Sequence, residues 1–172
     1  SQPRPQPSGA GSGAGSGARS GARSARNVRA AAALLAAAAA AVACMPYLPG
    51  SRASAAAVAA AGQYAIRVCD KCVKRKIGGG YNAMPVLQQT AQGAAAAGWP
   101  APRLEYGSCM GACELGPNMR LVKGEYNIPA VVDGMTAEEA EYKAFISIRS
   151  DVDAERAFGL SARHIMTEAE QG

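Results

Sequence analysis

The chain has 172 residues, of which 18 are Lys or Arg, 13 are Asp or Glu and 5% are aromatic. The basic excess lies at one end: residues 1–62 carry six arginines and no acidic side chain, whereas residues 63–172 carry 12 basic and 13 acidic side chains. A nucleic-acid-binding surface gathers Lys and Arg on the folded part of a protein, so this charge distribution does not support nucleic-acid binding. The C-terminal part is long enough for one small domain and too short for two.

Residues 1–62 are predicted to be a targeting leader. Residues 1–29 consist mostly of Gly, Ser, Ala, Pro and Arg, and without large apolar side chains they cannot offset the entropy of ordering, which predicts disorder. The uncharged segment 30–44 holds eleven alanines in 15 residues, which is short for a membrane span of about 20 residues. It is typical of the hydrophobic region of a signal, and an uncleaved hydrophobic helix is the alternative.

The leader also has the features of organellar import. It is rich in Arg and Ser and free of acidic residues, as transit peptides are, and the small residues at 41–43 or 53–55 offer a cleavage site. A transit stretch followed by a hydrophobic region is the composite pattern of a plastid leader. We therefore expect a plastid location, with the mitochondrion as the alternative and no stable membrane insertion of the mature domain.

The domain begins with a strand and a helix. Residues 64–68 are a short β-prone run that ends on Cys69, and residues 71–80 read as a polar, Gly-rich loop. Asn82 is predicted to cap a helix that runs to about Ala97, with a proline tolerated in its first turn. Gly98-Trp99-Pro100 ends this helix.

A second strand, 103–108, runs into Cys109 and the loop 109–118. A hairpin of 119–122 and 128–132 is predicted to follow, and then a capping box of Thr136 and Glu139 that opens a helix to about Ile148. The order of elements predicts an α/β fold, a thioredoxin-like sandwich with a mixed sheet and flanking helices, over residues 63–150. Residues 151–172 read as a charged tail with at most a short helix at 162–169, and His164 as a surface residue without acid–base partners.

The four cysteines of the domain form two pairs with the spacings CxxC and CxxxC, separated by 36 residues: Cys69, Cys72, Cys109 and Cys113. Each pair stands where a predicted strand gives way to a loop. Two close pairs on adjacent loops can surround a common point with four sulfurs, which is what a four-thiolate metal or cluster site requires. Glycines in both loops allow the backbone to approach such a site: Gly78, Gly79, Gly80, Gly111 and Gly116.

Three other interpretations of the cysteines stay open. Two disulfides are disfavoured in a reducing organelle interior. A structural zinc site needs the same four thiolates, although 36 intervening residues exceed the usual ribbon spacing of about 15–20. A thiol-disulfide oxidoreductase would use Cys69 and Cys72 after the first strand, with Pro129 facing them, and would leave the second pair without a role.

The segment from Ser108 to Val122 resembles the second cysteine loop of the thioredoxin-like 2Fe-2S ferredoxins, a family that includes the small ferredoxin-like subunit of complex I. It shares their CxGxC, Gly-Pro and following hairpin, and residues 66–69 and 131–139 are similar to their first strand and last strand–helix junction. The resemblance covers roughly residues 64–148. The first pair departs from the family, because two residues separate its cysteines instead of about four, and Lys74 lies near the usual second position.

The resemblance implies one 2Fe-2S cluster bound by Cys69, Cys72, Cys109 and Cys113, with two thiolates on each iron. It implies an electron carrier or electron-transfer subunit with redox proteins as partners, either as a homodimer or within a larger complex. No catalytic residue is expected. The four residues of a basic loop would partly offset the negative charge of the cluster, although such residues more often form only a solvated face of a loop: Lys71, Lys74, Arg75 and Lys76. A zinc-bound or cluster-free adaptor of a redox complex is the alternative binding function.

Overall fold

The structure is a computed structural model that describes residues 53–172. The described part contains one four-stranded mixed sheet with the strand order β2-β1-β3-β4. β1 is parallel to β2 and antiparallel to β3, and β3 is antiparallel to β4. The strands are β1 (Tyr64–Cys69), β2 (Arg103–Gly107), β3 (Met119–Lys123) and β4 (Ile128–Pro129).

Five α-helices accompany the sheet within residues 53–172: α1 (Ala55–Ala60), α2 (Asp70–Lys74), α3 (Met84–Ala96), α4 (Ala137–Tyr142) and α5 (Asp151–Gln171). Short 3-10 turns occur at Ala61–Gln63, Ile77–Gly80 and Cys113–Leu115. None of the helices described between residues 53 and 172 is long and apolar enough to cross a membrane.

One hydrophobic core joins the sheet to the helices. It is formed by alternate residues of β1 and β3 and by the inner faces of α3 and α5, including Ile66, Val68, Leu121, Leu87, Phe158 and Ile165. Alternation places the remaining strand residues, such as Arg67 and Arg120, on the opposite face of the sheet. The predicted α/β class, a thioredoxin-like sandwich with a mixed sheet and flanking helices, is thus confirmed.

The first βαβ unit follows the prediction closely. β1 ends on Cys69, and β2 begins at Arg103 as expected. Asn82 caps α3, because its Oδ1 accepts a hydrogen bond from the Met84 N–H at 3.1 Å. Pro85 occupies the first turn of α3, where its missing N–H costs no intrahelical bond.

Three predictions of local structure are wrong. The expected loop at 71–80 begins with α2, since Asp70 lies in the first turn and its carboxylate pairs with Lys74 at 2.6 Å one turn later. The second hairpin strand ends at Pro129 instead of 132. The helix that was expected to reach Ile148 ends at Tyr142, because Phe145 instead forms backbone hydrogen bonds with Met119 at 2.8 and 2.9 Å.

The expected charged tail is the longest helix of the described chain. Ser150 and Asp153 form a capping box at the start of α5, and eight of its residues are buried. Most of these buried residues are small, so the apolar stripe was weak in the sequence. His164 belongs to this helix and is mostly buried, with its ring edge-on to Tyr64, so its expected surface position is also wrong.

The predicted leader lies only partly within the described residues. Its disorder prediction, its hydrophobic segment and Cys44 fall in residues 1–52, outside the described part. Residues 55–61, which were assigned to the leader, form α1 and the turn after it, with Ala57 and Ala61 buried. Ser54 caps α1 by accepting the Ala57 N–H.

Glu139→Gln is expected to lower the free energy of unfolding by about 2–3 kcal/mol at neutral pH. The Glu139 carboxylate is buried, accepts the Thr136 N–H at 2.8 Å and receives two hydrogen bonds of 3.0 Å from Arg156. Burial alone would raise the pKa of Glu139, but the hydrogen bonds from Arg156 and Thr136 outweigh it and the pKa is lowered.

Because the pKa of Glu139 is lower in the folded than in the unfolded protein, its carboxylate stabilises the fold at pH values above the unfolded pKa of about 4.3. This stabilisation is lost as the pH falls through the folded-state pKa. Denaturant unfolding of wild type and variant from neutral to acidic pH measures this loss. Glu138→Gln, in the same turn but exposed, is the control. Equal effects of the two substitutions would contradict the assignment.

Candidate metal centre

Two parallel strands carry both cysteine pairs to the same edge of the sheet. β1 and β2 are hydrogen-bonded neighbours, and in their register Cys69 is opposite Gly107. Parallel neighbouring strands end at a common edge. Cys109, two residues beyond Gly107, therefore enters its loop beside the first pair.

The first pair is buried. Cys69 is the last residue of β1 and is 1% exposed, and Cys72 lies in α2 and is 0% exposed. Burial, followed by the interaction with the neighbouring Cys69 thiol, raises the pKa of Cys72 to about 12. Their short spacing is accommodated because α2 starts immediately after β1 and turns Cys72 back toward Cys69.

The second pair is half-buried and closer to solvent. The Sγ atoms of Cys109 and Cys113 are 3.3 Å apart. A hydrogen bond from the Gly111 N–H, then one from the Cys113 thiol and then the charges of Lys71 and Arg75 lower the pKa of Cys109. The hydrogen bond to Cys109, followed by desolvation, raises the pKa of Cys113.

The segment after the second pair lies against the first pair. Cys113 is close enough for its charge to affect the pKa of Cys72, and Cys69 similarly affects Cys113. A Cβ added at Gly116, in the second loop, would lie 2.9 Å from the Cys72 Sγ. The second loop therefore covers the first pair, and only glycine allows this approach.

The basic loop contributes unequally to the cysteine site. Lys71 in α2 and Arg75, the residue after its end, both favour the thiolate of Cys109. The Lys74 side chain is 73% exposed and forms an ion pair with Asp70. The sequence had grouped four basic residues together, whereas the charges of Lys71 and Arg75 are the ones that lower the pKa of Cys109.

The four cysteine thiols are compatible with a bound cofactor that contains two metal ions. No group of three or more His, Cys, Asp or Glu side chains within residues 53–172 is arranged around one ion, but two thiol pairs occur. Two thiolates on one tetrahedral metal, with bonds of about 2.3 Å, stand about 3.8 Å apart. The 3.3 Å separation in the second pair is close to this value, and all four cysteines are free. The second pair is thus spaced roughly as two ligands of one metal are, and the first pair lies at the same edge of the sheet.

Pro129 does not face the first cysteine pair as the dithiol interpretation expected. It pairs with Val122, near the far end of β3. The proline at the cysteine edge is Pro117, whose Cδ would lie 2.5 Å from a Cβ added at Gly78.

Sequence reasoning missed two polar residues that hold the second loop. Asn118 is fully buried and donates to two carbonyls of that loop. Arg120 donates to the Met110 carbonyl of the loop and to the Tyr142 carbonyl at the end of α4. Polar residues directly after Gly-Pro and at the start of a strand were the available signal.

The fold and the site define a thioredoxin-like α/β domain with four free cysteines at one sheet edge. No protein-family model, curated protein or solved structure matches this chain. The cysteines and the loops around them therefore carry the functional interpretation.

Proposed function

We propose that this chain is an electron carrier or electron-transfer subunit that holds one 2Fe-2S cluster, with Cys69 and Cys72 on one iron and Cys109 and Cys113 on the other. The observation that carries this proposal is the meeting of two free cysteine pairs at the common end of β1 and β2. Such a cluster, when bound, accepts and returns one electron. Its partners would be redox proteins, and its location a plastid or, alternatively, a mitochondrion.

The surrounding residues supply ligation and electrostatics. The backbone N–H group of Gly111 lowers the pKa of Cys109, and that of Asn118 opposes the burial that raises the pKa of Cys72, because each favours the thiolate. Hydrogen bonds to ligand sulfurs favour the more negative, reduced state and raise the reduction potential. Cys109 and Cys113 are the more exposed pair, so the electron would enter and leave on their side.

The test is the metal and sulfide content of the full chain purified under anaerobic conditions. Iron and acid-labile sulfide are expected at about two each per chain, with a visible chromophore and a rhombic EPR signal after one-electron reduction. Stoichiometric zinc in a colourless protein would reject the proposal in favour of the zinc-bound adaptor.

The double substitution Lys71→Gln/Arg75→Gln is expected to lower the reduction potential by about 20–40 mV at low salt, as expected for exposed charges. Both cations act on Cys109, and positive charge favours the more negative reduced cluster. Potentiometric titration at low and high salt measures the shift, which should shrink as screening increases. Lys74→Gln/Lys76→Gln is the matched control, because Lys74 is paired with Asp70. Equal shifts in both double variants would contradict a specific role of Lys71 and Arg75.

A second candidate function is thiol-disulfide exchange, but at a different pair from the one that the sequence favoured. Cys69 and Cys72 are buried and the pKa of Cys72 is raised, which disfavours a thiolate nucleophile there. Cys109 and Cys113 are accessible and 3.3 Å apart, and the pKa of Cys109 is lowered. An oxidoreductase would therefore use Cys109 to attack a substrate disulfide and Cys113 to resolve the mixed disulfide.

A further inference from the structure

Asn118 forms hydrogen bonds with Cys69 and with the loop between Cys109 and Cys113, although it is not a thiol and was not singled out in the sequence. It lies between Pro117 and the start of β3 and is 0% exposed. It is one of few buried polar side chains among residues 53–172, and a buried amide is costly unless its hydrogen bonds have a use. Its contacts show what that use is.

The Asn118 side chain holds the second cysteine loop. Its Nδ2 donates to the Ala112 carbonyl at 2.9 Å and to the Gly111 carbonyl at 3.3 Å. Gly111 and Ala112 both have positive φ angles, 81° and 44°, and Ala112 is strained because it has a Cβ. Two successive left-handed residues, placed between Cys109 and Cys113, thus direct their carbonyls to one amide group.

The Asn118 backbone holds the first cysteine pair. Its carbonyl accepts the Cys69 N–H at 3.0 Å. This bond fixes the end of β1, from which Cys72 follows after two residues. Because β3 continues from the next residue, these contacts join the first pair, the second loop and the sheet through a single position.

The Oδ1 atom of Asn118 makes it possible to separate a role in positioning the loop from a contribution to overall stability. Asn118 Oδ1 is buried and has no hydrogen-bond partner. The reversed amide would place this oxygen against two carbonyl oxygens, so the hydrogen bonds determine the observed orientation. An unsatisfied acceptor costs stability. Leucine has a similar volume and no such acceptor, so the loss of the two loop bonds would be partly offset in the free energy of unfolding.

We infer that Asn118 is a positioning residue that holds the Cys109–Cys113 loop in register with Cys69 and Cys72. This inference about the loop rests on the hydrogen bonds of Asn118 itself and not on the cluster. Its consequence, slower loss of the cluster, rests on the proposed function.

The test uses Asn118→Leu in the full chain, with Asn118→Ser as a second variant should the leucine variant not fold. In the metal-free protein, the backbone NMR order parameters of residues 110–113 are expected to fall from about 0.85 to below about 0.6. Those of β1 and α5 should stay unchanged. In the iron-loaded protein, transfer of iron to a chelator is expected to be about tenfold faster or more.

Ser161→Ala is the matched control, because it removes one buried side chain–backbone hydrogen bond, 2.7 Å long, within α5. It should leave both the loop order parameters and iron transfer unchanged. Unchanged order parameters of residues 110–113 in the Asn118 variants would overturn the inference. If wild type binds no iron but the variants mobilise the loop, the proposed function fails while the positioning role of Asn118 stands.

Discussion

Replacing Cys109 or Cys113 by serine is expected to abolish the chromophore as completely as replacing Cys72. In a four-thiolate cluster each iron needs both sulfurs of its pair, and a serine oxygen is a poor substitute for thiolate. Iron should fall from about two per chain to nearly none in each variant. Visible absorption and iron content after anaerobic purification measure the loss.

Cys44→Ser provides the control for this series, because it makes the same chemical change at a cysteine that is not one of the four candidate ligands. It should leave iron content and absorption unchanged.

Two double variants distinguish a cluster-binding protein from an oxidoreductase: Cys69→Ser/Cys72→Ser and Cys109→Ser/Cys113→Ser. Disulfide-reductase activity that survives Cys69→Ser/Cys72→Ser but not Cys109→Ser/Cys113→Ser would support an oxidoreductase at the second pair. A full chromophore in either double variant would contradict the cluster proposal.

The parts of the fold that the sequence predicted have strong local signals. β1 was predicted from a run of β-prone residues, α3 from a capping Asn and a first-turn Pro, and the start of α4 from the Thr136–Glu139 capping box, which the structure contains. The end of α4 could not be predicted. The backbone pairing of Phe145 with Met119 decides it, and this contact joins residues that are distant in the sequence.

α5 shows a different limit of sequence reasoning. Its capping box at Ser150 and Asp153 was present in the sequence, but its buried face includes Ala154, Ala157 and Gly159 in place of large apolar residues. Small residues bury well where a helix approaches its neighbours closely, and α1 and α3 both pack against α5. Only the tertiary packing makes this stripe recognisable as core.

The cysteine residues of the site could be identified from spacing, but their different exposures could not. Cys69 and Cys72 are buried, and the Gly116 segment, distant in sequence, lies against Cys72; Cys72 also lies in α2, which was predicted as a loop. The roles of Lys71 and Arg75 depend on the same helix. The sequence assigned a possible nucleophile to the first pair because a CxxC follows the first strand, and this position in the sequence does not reveal that the pair is buried.

Gly78→Ala is expected to lower the free energy of unfolding by about 2–4 kcal/mol and to reduce iron retention. Gly78 has φ +60°, and a Cβ there would lie 2.5 Å from the Pro117 Cδ and 2.7 Å from the Gly116 carbonyl oxygen. The second contact is with backbone, so the loop after Cys113 must shift. Since Gly116 in turn lies against Cys72, this shift separates the two cysteine pairs. Denaturant unfolding of the metal-free protein and the iron content measure the two effects.

Gly79→Ala isolates the contribution of this contact. Gly79 also has a positive φ, +85°, but a Cβ at that position meets nothing within 4 Å. The control therefore carries only the backbone cost of a left-handed alanine, about 1–2 kcal/mol, and should retain its iron. The Gly79 variant could instead lose as much iron as the Gly78 variant. That result would show that the conformation of the turn holds the cysteine pairs together, and that the packing of Gly78 against the Gly116–Pro117 segment does not. If both variants kept their iron, the two loops would not need this contact to bind it.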